Sequence, residues 1–368
     1  MSGTECFPST SFLTLTHYRN EQKMTDYYIP EFLFLTQEDV IAAGGLDMQA
    51  TQEDVELAYK LFSSGQIEQP HKPVFRIDHP ETGEEQYYLA VSMPVYVKGE
   101  INRLGHKWAA ESMANARRGD MPMGVDVILL HDMEHAIPHA IMEGGLITAM
   151  RTSAVAGVGA KYLANPGSKV AGLVGAGIIG RTMIMSLTTA MPSLEEIRLY
   201  DLNQQRAEAL AAEFSDQIKV LVVDSVEAAF KGADIITTQT TSRTPFVNSE
   251  WIPTGSYYAH MSAKEGKNEV FLETDKLVTD NWNTLKTWDF FTATRLAKEG
   301  LLNEGEITDI GEIILGKKEG RTSREQKILF ANLGMGCLDI VVAERIFQNA
   351  KNLGIGQKVK LWDKPLWI

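Results

Sequence analysis

Three glycines at positions 175, 177 and 180 are the residues of this chain whose spacing speaks most directly of chemistry. They lie in Lys169-Val-Ala-Gly-Leu-Val-Gly175-Ala176-Gly177-Ile178-Ile179-Gly180, a G-x-G-x-x-G run. Glycine is common and the spacing alone is a weak signal, but here an apolar strand-like run leads in and a helix-like run leads out. Gly175 permits a tight turn, Gly177 lets the backbone approach a pyrophosphate, and Gly180 lets the helix pack closely on the strand. The opening of the helix at Ala176, Ile178 and Ile179 then offers free N–H groups and partial positive charge to phosphates. Asp201 ends the next strand-like run, 21 residues after Gly180. Its carboxylate suits the ribose hydroxyls of an adenosine and would repel a 2′-phosphate, so NAD(H) is expected over NADP(H). Arg206, one turn into the following helix, is the residue that bears against that preference.

A second pattern, His131-x-x-x-His135-x-x-x-His139, would line one face of a helix and could hold zinc. Pro138 and the apolar flanks favour a different reading, two strands at Val125–Leu130 and Pro138–Met142 joined by a turn at Asp132–Glu134. On that geometry the three imidazoles diverge, and no metal site is expected.

The elements that must position these residues divide at about residue 166. Residues 34–66 read as helical, with N-cap signals at Thr36-Gln-Glu-Asp39 and Thr51-Gln-Glu-Asp54 and a stop at Gly65. From Lys72 to Met150 short β-like runs take over, at Val74–Ile77, Tyr87–Val91, Val125–Leu130 and Pro138–Met142. After Val170 strand and helix alternate, as in a parallel βαβ sheet: Val170–Val174, Ile178–Ala190, Glu196–Asp201, Asn203–Phe214, Ile218–Val223, Val226–Phe230 and Ala233–Thr238. Further strands are expected at Ser256–His260, Lys276–Thr279 and Lys327–Ala331. An amphipathic helix over Leu338–Leu353, stopped by Gly354, is expected to pack back on the first half. The expected fold is therefore α/β: a polar extension over residues 1–33, a discontinuous α+β substrate-binding and dimerisation domain over 34–165 and 333–368, and a Rossmann-type domain over 166–332.

Composition narrows the function classes. The chain has 368 residues, a formal charge of −13 and a 44% hydrophobic content, which is globular and repels nucleic acid and anionic lipid alike. It has no apolar run long enough to span a bilayer. The N-terminus reads as a polar lead-in ending near Met24, without a secretory pattern. Cys6 and Cys337 lie far apart and fit a reducing cytoplasm. Neither a nucleic-acid nor a membrane partner is expected.

From about Phe34 to Lys360 the chain resembles the ornithine cyclodeaminase/mu-crystallin family. The resemblance rests on Met93-Pro-Val-Tyr96, Gly105-His-Lys-Trp108, Met142-Glu-Gly-Gly-Leu-Ile-Thr-Ala-Met-Arg-Thr152, Val174–Gly180, Ala233-Asp-Ile-Ile236, Thr240-Thr-Ser242 and Gly311–Thr322. It implies a homodimer and a reaction in which hydride passes between a nicotinamide and the Cα–N bond of an amino or imino acid. Arg151 matches the arginine that grips the substrate carboxylate, a task that suits a planar, permanently charged fork. Lys107 matches the active-site lysine. By itself a lysine is usually a solvated surface charge. Lys72 falls where relatives carry a carboxylate-binding arginine. Thr152, Thr240, Thr241, Met261 and Asn332 are implied cofactor contacts. Cyclodeaminases carry an aspartate in the loop that here reads Met261-Ser-Ala-Lys264-Glu265-Gly. Counting forward from Gly255 puts Lys264 at that position, counting back from Glu269 puts Ala263 there, and Glu265 is adjacent. The missing aspartate favours an imino-acid reductase or amino-acid dehydrogenase, with an N-substituted amino acid as one kind of substrate. The alternatives are ornithine cyclodeamination and a non-catalytic, ligand-binding protein of the mu-crystallin kind.

Overall fold

The computed structural model describes residues 28–85 and 87–365. The polar lead-in to Met24 and Cys6 lie outside them. In chain order the strands are β1 (Glu31–Leu35), β2 (Ile67–Glu68), β3 (Val74–Ile77), β4 (Tyr88–Val97), β5 (Arg103–Ser112), β6 (Gly124–His131), β7 (Pro138–Glu143), β8 (Val170–Val174) and β9 (Glu196–Tyr200). They continue with β10 (Lys219–Val222), β11 (Ile235–Thr238), β12 (Tyr257–His260), β13 (Lys276–Thr279), β14 (Thr308–Asp309), β15 (Ile328–Ala331) and β16 (Gln357–Lys360).

The first sheet has the order β16-β1-β7-β6-β5-β4-β2, with β3 also on β4. Its long centre is an antiparallel ladder, β4 on β5 from Tyr88↔Ser112 to Val97↔Arg103, and β5 on β6. Side chains alternate across such a ladder. On β5, Arg103, Gly105, Lys107 and Ala109 are buried on the inner face, while Leu104 and Trp108 point outward and are exposed. The helix Gly336–Leu353 covers the inner face. A Cβ at Gly105 would lie 2.6 Å from Ile340 Cδ1, so only glycine lets this helix come so close.

The second sheet has the order β10-β9-β8-β11-β12-β15-β13-β14, and every pairing in it is parallel. The chain runs outward in one direction from β8 and in the other through β11, so the strand order reverses between them. In such sheets the crevice at the carboxyl ends of the strands at that reversal is where ligands sit. The helix Gly145–Leu163 joins the two halves. It packs against the helices Met48–Ser63 and Ile178–Ala190, and Ala156 O accepts a hydrogen bond from Tyr257 Oη on β12 at 3.1 Å.

Several expectations change. Residues 34–66 are not helical throughout. The segment begins as β1, parallel to β7 and antiparallel to β16, so Glu31–Leu33 belong to the sheet and not to an extension ending at 33. Thr36 does cap its helix, with the reciprocal Asp39 bond. Thr51 does not: the next helix starts at Met48 with Asp47 as its cap, and Thr51 is buried one turn in. The run seen at Tyr87–Val91 is the start of the ten-residue β4. The ten-residue β5 and the 19-residue helix Gly145–Leu163 went unforeseen. That helix is buried on nearly every side, which removes the one-sided apolar stripe that betrays a helix. The last helix runs Gly336–Leu353, capped by Gly354 in the left-handed region, and packs on the first sheet as expected. Among the described residues no helix is long and apolar enough to cross a membrane.

Candidate active site

The glycine-rich segment forms the expected strand–turn–helix between β8 and Ile178–Ala190. Gly175 has φ +111, and a Cβ there would sit 2.8 Å from Gln239 O. At Gly177 nothing lies within 4 Å of where a Cβ would be, so the backbone presents an open face. At Gly180 a Cβ would fall 2.2 Å from Gly175 O. Together these make a cradle that a diphosphate fits and side chains would fill. Asp201 stands just past β9, beside this turn, its Oδ2 accepting from Ala176 N–H at 2.7 Å and its Oδ1 from Asn203 N–H. Ile178 is exposed at the helix mouth, and Ser153 Oγ donates to Ile179 O, which brings Thr152 on the Gly145–Leu163 helix to the same corner.

Thr240, Thr241, Met261 and Asn332 follow the carboxyl ends of β11, β12 and β15 and so edge the crevice. Asn332 Nδ2 donates to His260 O at 3.3 Å and meets Met261 Sδ at 3.1 Å. The N–H and Oγ1 of Thr240 both donate to Glu265 Oε1 at 2.6 Å. Glu265 is fully buried and its carboxyl is pushed up by burial. It therefore braces the Thr240 loop instead of reaching in. Lys264 is half-buried on the same loop, and among the described residues its ammonium has no ion pair with the charged groups below.

On the inner face of the first sheet Lys107, Arg151 and Lys72 converge; the first two are held by carboxylates that sequence reasoning did not pick out, and Lys72 by backbone carbonyls. Lys107 on β5 is 1% exposed, with Nζ 3.1 Å from both Asp126 Oδ2 on β6 and Asp339 Oδ1 on the last helix. Arg151 Nε bonds the same Asp339 Oδ1 at 2.9 Å. Asp339 is completely buried; burial raises its pKa, but Arg151 and Lys107 outweigh that and leave it below the usual carboxylate range. Lys72 Nζ donates to Gly334 O at 2.6 Å and Leu333 O at 3.2 Å. The amides of those two residues donate to Asp280 Oδ2 at 2.7 and 2.9 Å. Burial lowers the Lys72 ammonium to about 8.

Three cations and three carboxylates thus share one buried corner, where an uncompensated charge would cost several kcal/mol. Gly334, at φ +72, lies so close to Arg151 that a Cβ would be 2.5 Å from Nη1. Since Gly334 lies only two residues after Asn332, this corner opens on the crevice of the second sheet. Among the described residues only Nε of Arg151 is engaged by carboxylate, which leaves the rest of the guanidinium for a substrate anion. Asp339 was legible in principle, as the lone acid in Gly336-Cys-Leu-Asp-Ile-Val-Val-Ala343, since unpaired buried acids are rare.

The three histidines lie where the strand reading put them, at the end of β6, in the turn and on β7. His135 Nδ1 and His139 Nε2 lie 2.8 and 4.0 Å from the Asp132 carboxylate, and the other ring nitrogen of His139 meets Arg103.

Comparison with known proteins adds to this geometry. Residues 31–354 match the model of the ornithine cyclodeaminase/mu-crystallin family. N-((2S)-2-amino-2-carboxyethyl)-L-glutamate dehydrogenase of Staphylococcus aureus is 28% identical, over 90% of this chain and 99% of that protein. The solved Delta(1)-pyrroline-2-carboxylate reductase of Thermococcus litoralis, in complex with NADH and L-proline, superposes with a TM-score of 0.79 at 29% identity, covering 89% of this chain and 100% of that one. An archaeal alanine dehydrogenase dimer with bound NAD gives 0.80 at 27% identity, over 90% and 100%.

Proposed function

The chain belongs to the ornithine cyclodeaminase/mu-crystallin family, and from that premise we propose that it is an NAD(H)-dependent oxidoreductase of the Cα–N bond of an amino or imino acid. The observation that carries the reading is the buried Lys107–Asp339–Arg151 cluster opening on the glycine-lined crevice. NADH, when bound, would supply a hydride to an imine carbon, and the Gly175–Gly180 turn and Asp201 would hold its diphosphate and ribose. The free edge of Arg151, with Lys72 behind the Leu333–Gly334 turn, binds the α-carboxylate and so fixes the carbon against the crevice. Lys107, steered by Asp126 and Asp339, gives a proton to the nitrogen. Orientation of this kind can supply several kcal/mol of the barrier reduction.

Cyclodeamination is the poorer reading. The Met261–Gly266 loop offers one acid, Glu265, and it is spent on Thr240. The active form is a homodimer built on the outer face of the first sheet. There Phe75, Leu104, Trp108, Val125 and Val127 are all exposed, and Trp108 lies directly across the ladder from Val127. A contiguous apolar face of this kind marks an interface.

The test is nicotinamide absorbance with a panel of cyclic imines, 2-oxo acids with amines, and amino acids. Turnover with NADH or NAD is expected, and Lys107→Met should lower kcat by about 100-fold or more. Saturable coenzyme binding with no turnover on any member of the panel would reject the reading.

A further inference from the structure

Past Lys107 the inner face of the first sheet continues as a floor that the reaction described above does not use. Val91, Met93 and Ala109, each 8–9% exposed, form a small apolar cluster of their own with Val74 and Leu89. Beyond it comes one charged row. Arg76 on β3 pairs with Leu89 on β4, Leu89 pairs with Glu111 on β5, and Glu111 pairs with Gly124 on β6. Register partners share a face, so Arg76 and Glu111 flank Leu89 on the side that carries Lys107. Glu111 lies four residues from Lys107, about 13 Å along the strand. Its carboxyl is pushed up by burial and by Asp126.

Among the described residues neither Arg76 nor Glu111 has an ion-pair partner. Arg76 is instead held over aromatic rings, its guanidinium 5.7 Å from the centroid of Trp288 and 5.1 Å from that of Phe290. Lys72 lies 5.1 Å from the same Trp288 ring, which ties this end of the floor to the reacting end. Arg243 Nη1 donates to Glu85 O just before β4, so the second half of the protein reaches over the same region.

We propose that Arg76 and Glu111 form a second recognition site for an ammonium–carboxylate pair at the far end of the substrate. The preferred substrate is then an N-substituted amino acid whose substituent ends in an α-amino acid. This rests on the Cα–N reading and extends it. The guanidinium takes the distal carboxylate, Glu111 takes the distal ammonium, and the Val91–Met93–Ala109 floor carries the methylenes between the two charged ends. Roughly 10 Å separates the two Cα atoms across two strand spacings, a gap that two side chains reaching toward one zwitterion fill.

Pyruvate and a primary amine lose water to form a C=N bond. The carbon then accepts hydride from NADH and the nitrogen a proton, giving an N-(1-carboxyethyl)amine and NAD. The test uses the full chain, pyruvate, NADH and four matched amines: 2,4-diaminobutyrate, 4-aminobutyrate (no distal ammonium), 1,3-diaminopropane (no distal carboxylate) and propylamine (neither). The kcat/KM for diaminobutyrate should exceed that for propylamine by about 100-fold, with the other two between, because a site built for hydrogen bonds rejects analogues that lack them. Arg76→Met should cost about tenfold or more with diaminobutyrate and 4-aminobutyrate and leave the other two unchanged. Glu111→Gln should do the same with diaminobutyrate and 1,3-diaminopropane. NADH affinity and thermal midpoint should stay as they are in both variants. A flat series, or an equal loss on all four amines, overturns the second site. If pyrroline-2-carboxylate is reduced while the series is flat, only this inference fails; if no imine at all is reduced, the Cα–N reading falls and takes it along.

Discussion

At the scale of single residues the site is a problem in charge. Asp339 accepts from both Lys107 and Arg151 with one oxygen, and its removal leaves two cations buried side by side. Asp339→Asn should lower kcat/KM by about 100-fold through misplacement of both groups. NADH affinity, read by fluorescence, should hardly move; equal loss of both would contradict a positioning role. Lys72 gives a pH signature. Burial holds its ammonium near 8, so the carboxylate-binding charge is present at neutral pH and disappears as pH rises through that value. KM should climb above pH 8 in the native protein and stay level in Lys72→Arg, whose guanidinium does not titrate in this range; an identical profile in both would rule Lys72 out of carboxylate binding. The sequence exposed the cations through their resemblance to family motifs, whereas their counter-ions stayed hidden. Nothing local distinguishes Asp126 within Val125-Asp-Val-Ile128 from other acids, and Asp339 stands out only as the lone acid of an apolar run. What singles them out is burial beside Lys107, which for Asp339 lies 232 positions away in the chain and for both is visible only in three dimensions.

At the scale of elements the second half was the more legible. Strands and helices there obey local periodicity, and Val170–Val174, Ile178–Ala190 and Lys276–Thr279 fold with the bounds their patterns predict. The first half was less so, because β5 interleaves glycine, histidine and lysine with its apolar residues, and the Gly145–Leu163 helix is too uniformly buried to show a stripe. The glycine turn is where sequence and packing agree most closely. A Cβ at Gly180 would sit 2.2 Å from Gly175 O, so Gly180→Ala must push the helix off the turn. Its NADH Kd is expected to rise by about tenfold or more, since the helix amides lose their aim at the phosphates. Unchanged binding in calorimetry would show that the diphosphate sits elsewhere.

At the scale of the molecule the two faces of the first sheet do different work, one lining the cleft and the other presenting apolar side chains outward. Light scattering should find a dimer, and Trp108→Glu with Val127→Glu should give monomers; a native monomer, or a dimer untouched by both charges, would refute that assembly. The Gly145–Leu163 helix has a consequence of its own. It sends Arg151 to the reacting corner, Ser153 to the root of the phosphate helix and Ala156 to β12. One rigid rod thus sets the gap that the hydride crosses. Any hinge motion of the two halves that turned about this rod would carry the rims near Trp288 and Arg243 furthest and leave the spacing at the reacting corner nearly unchanged.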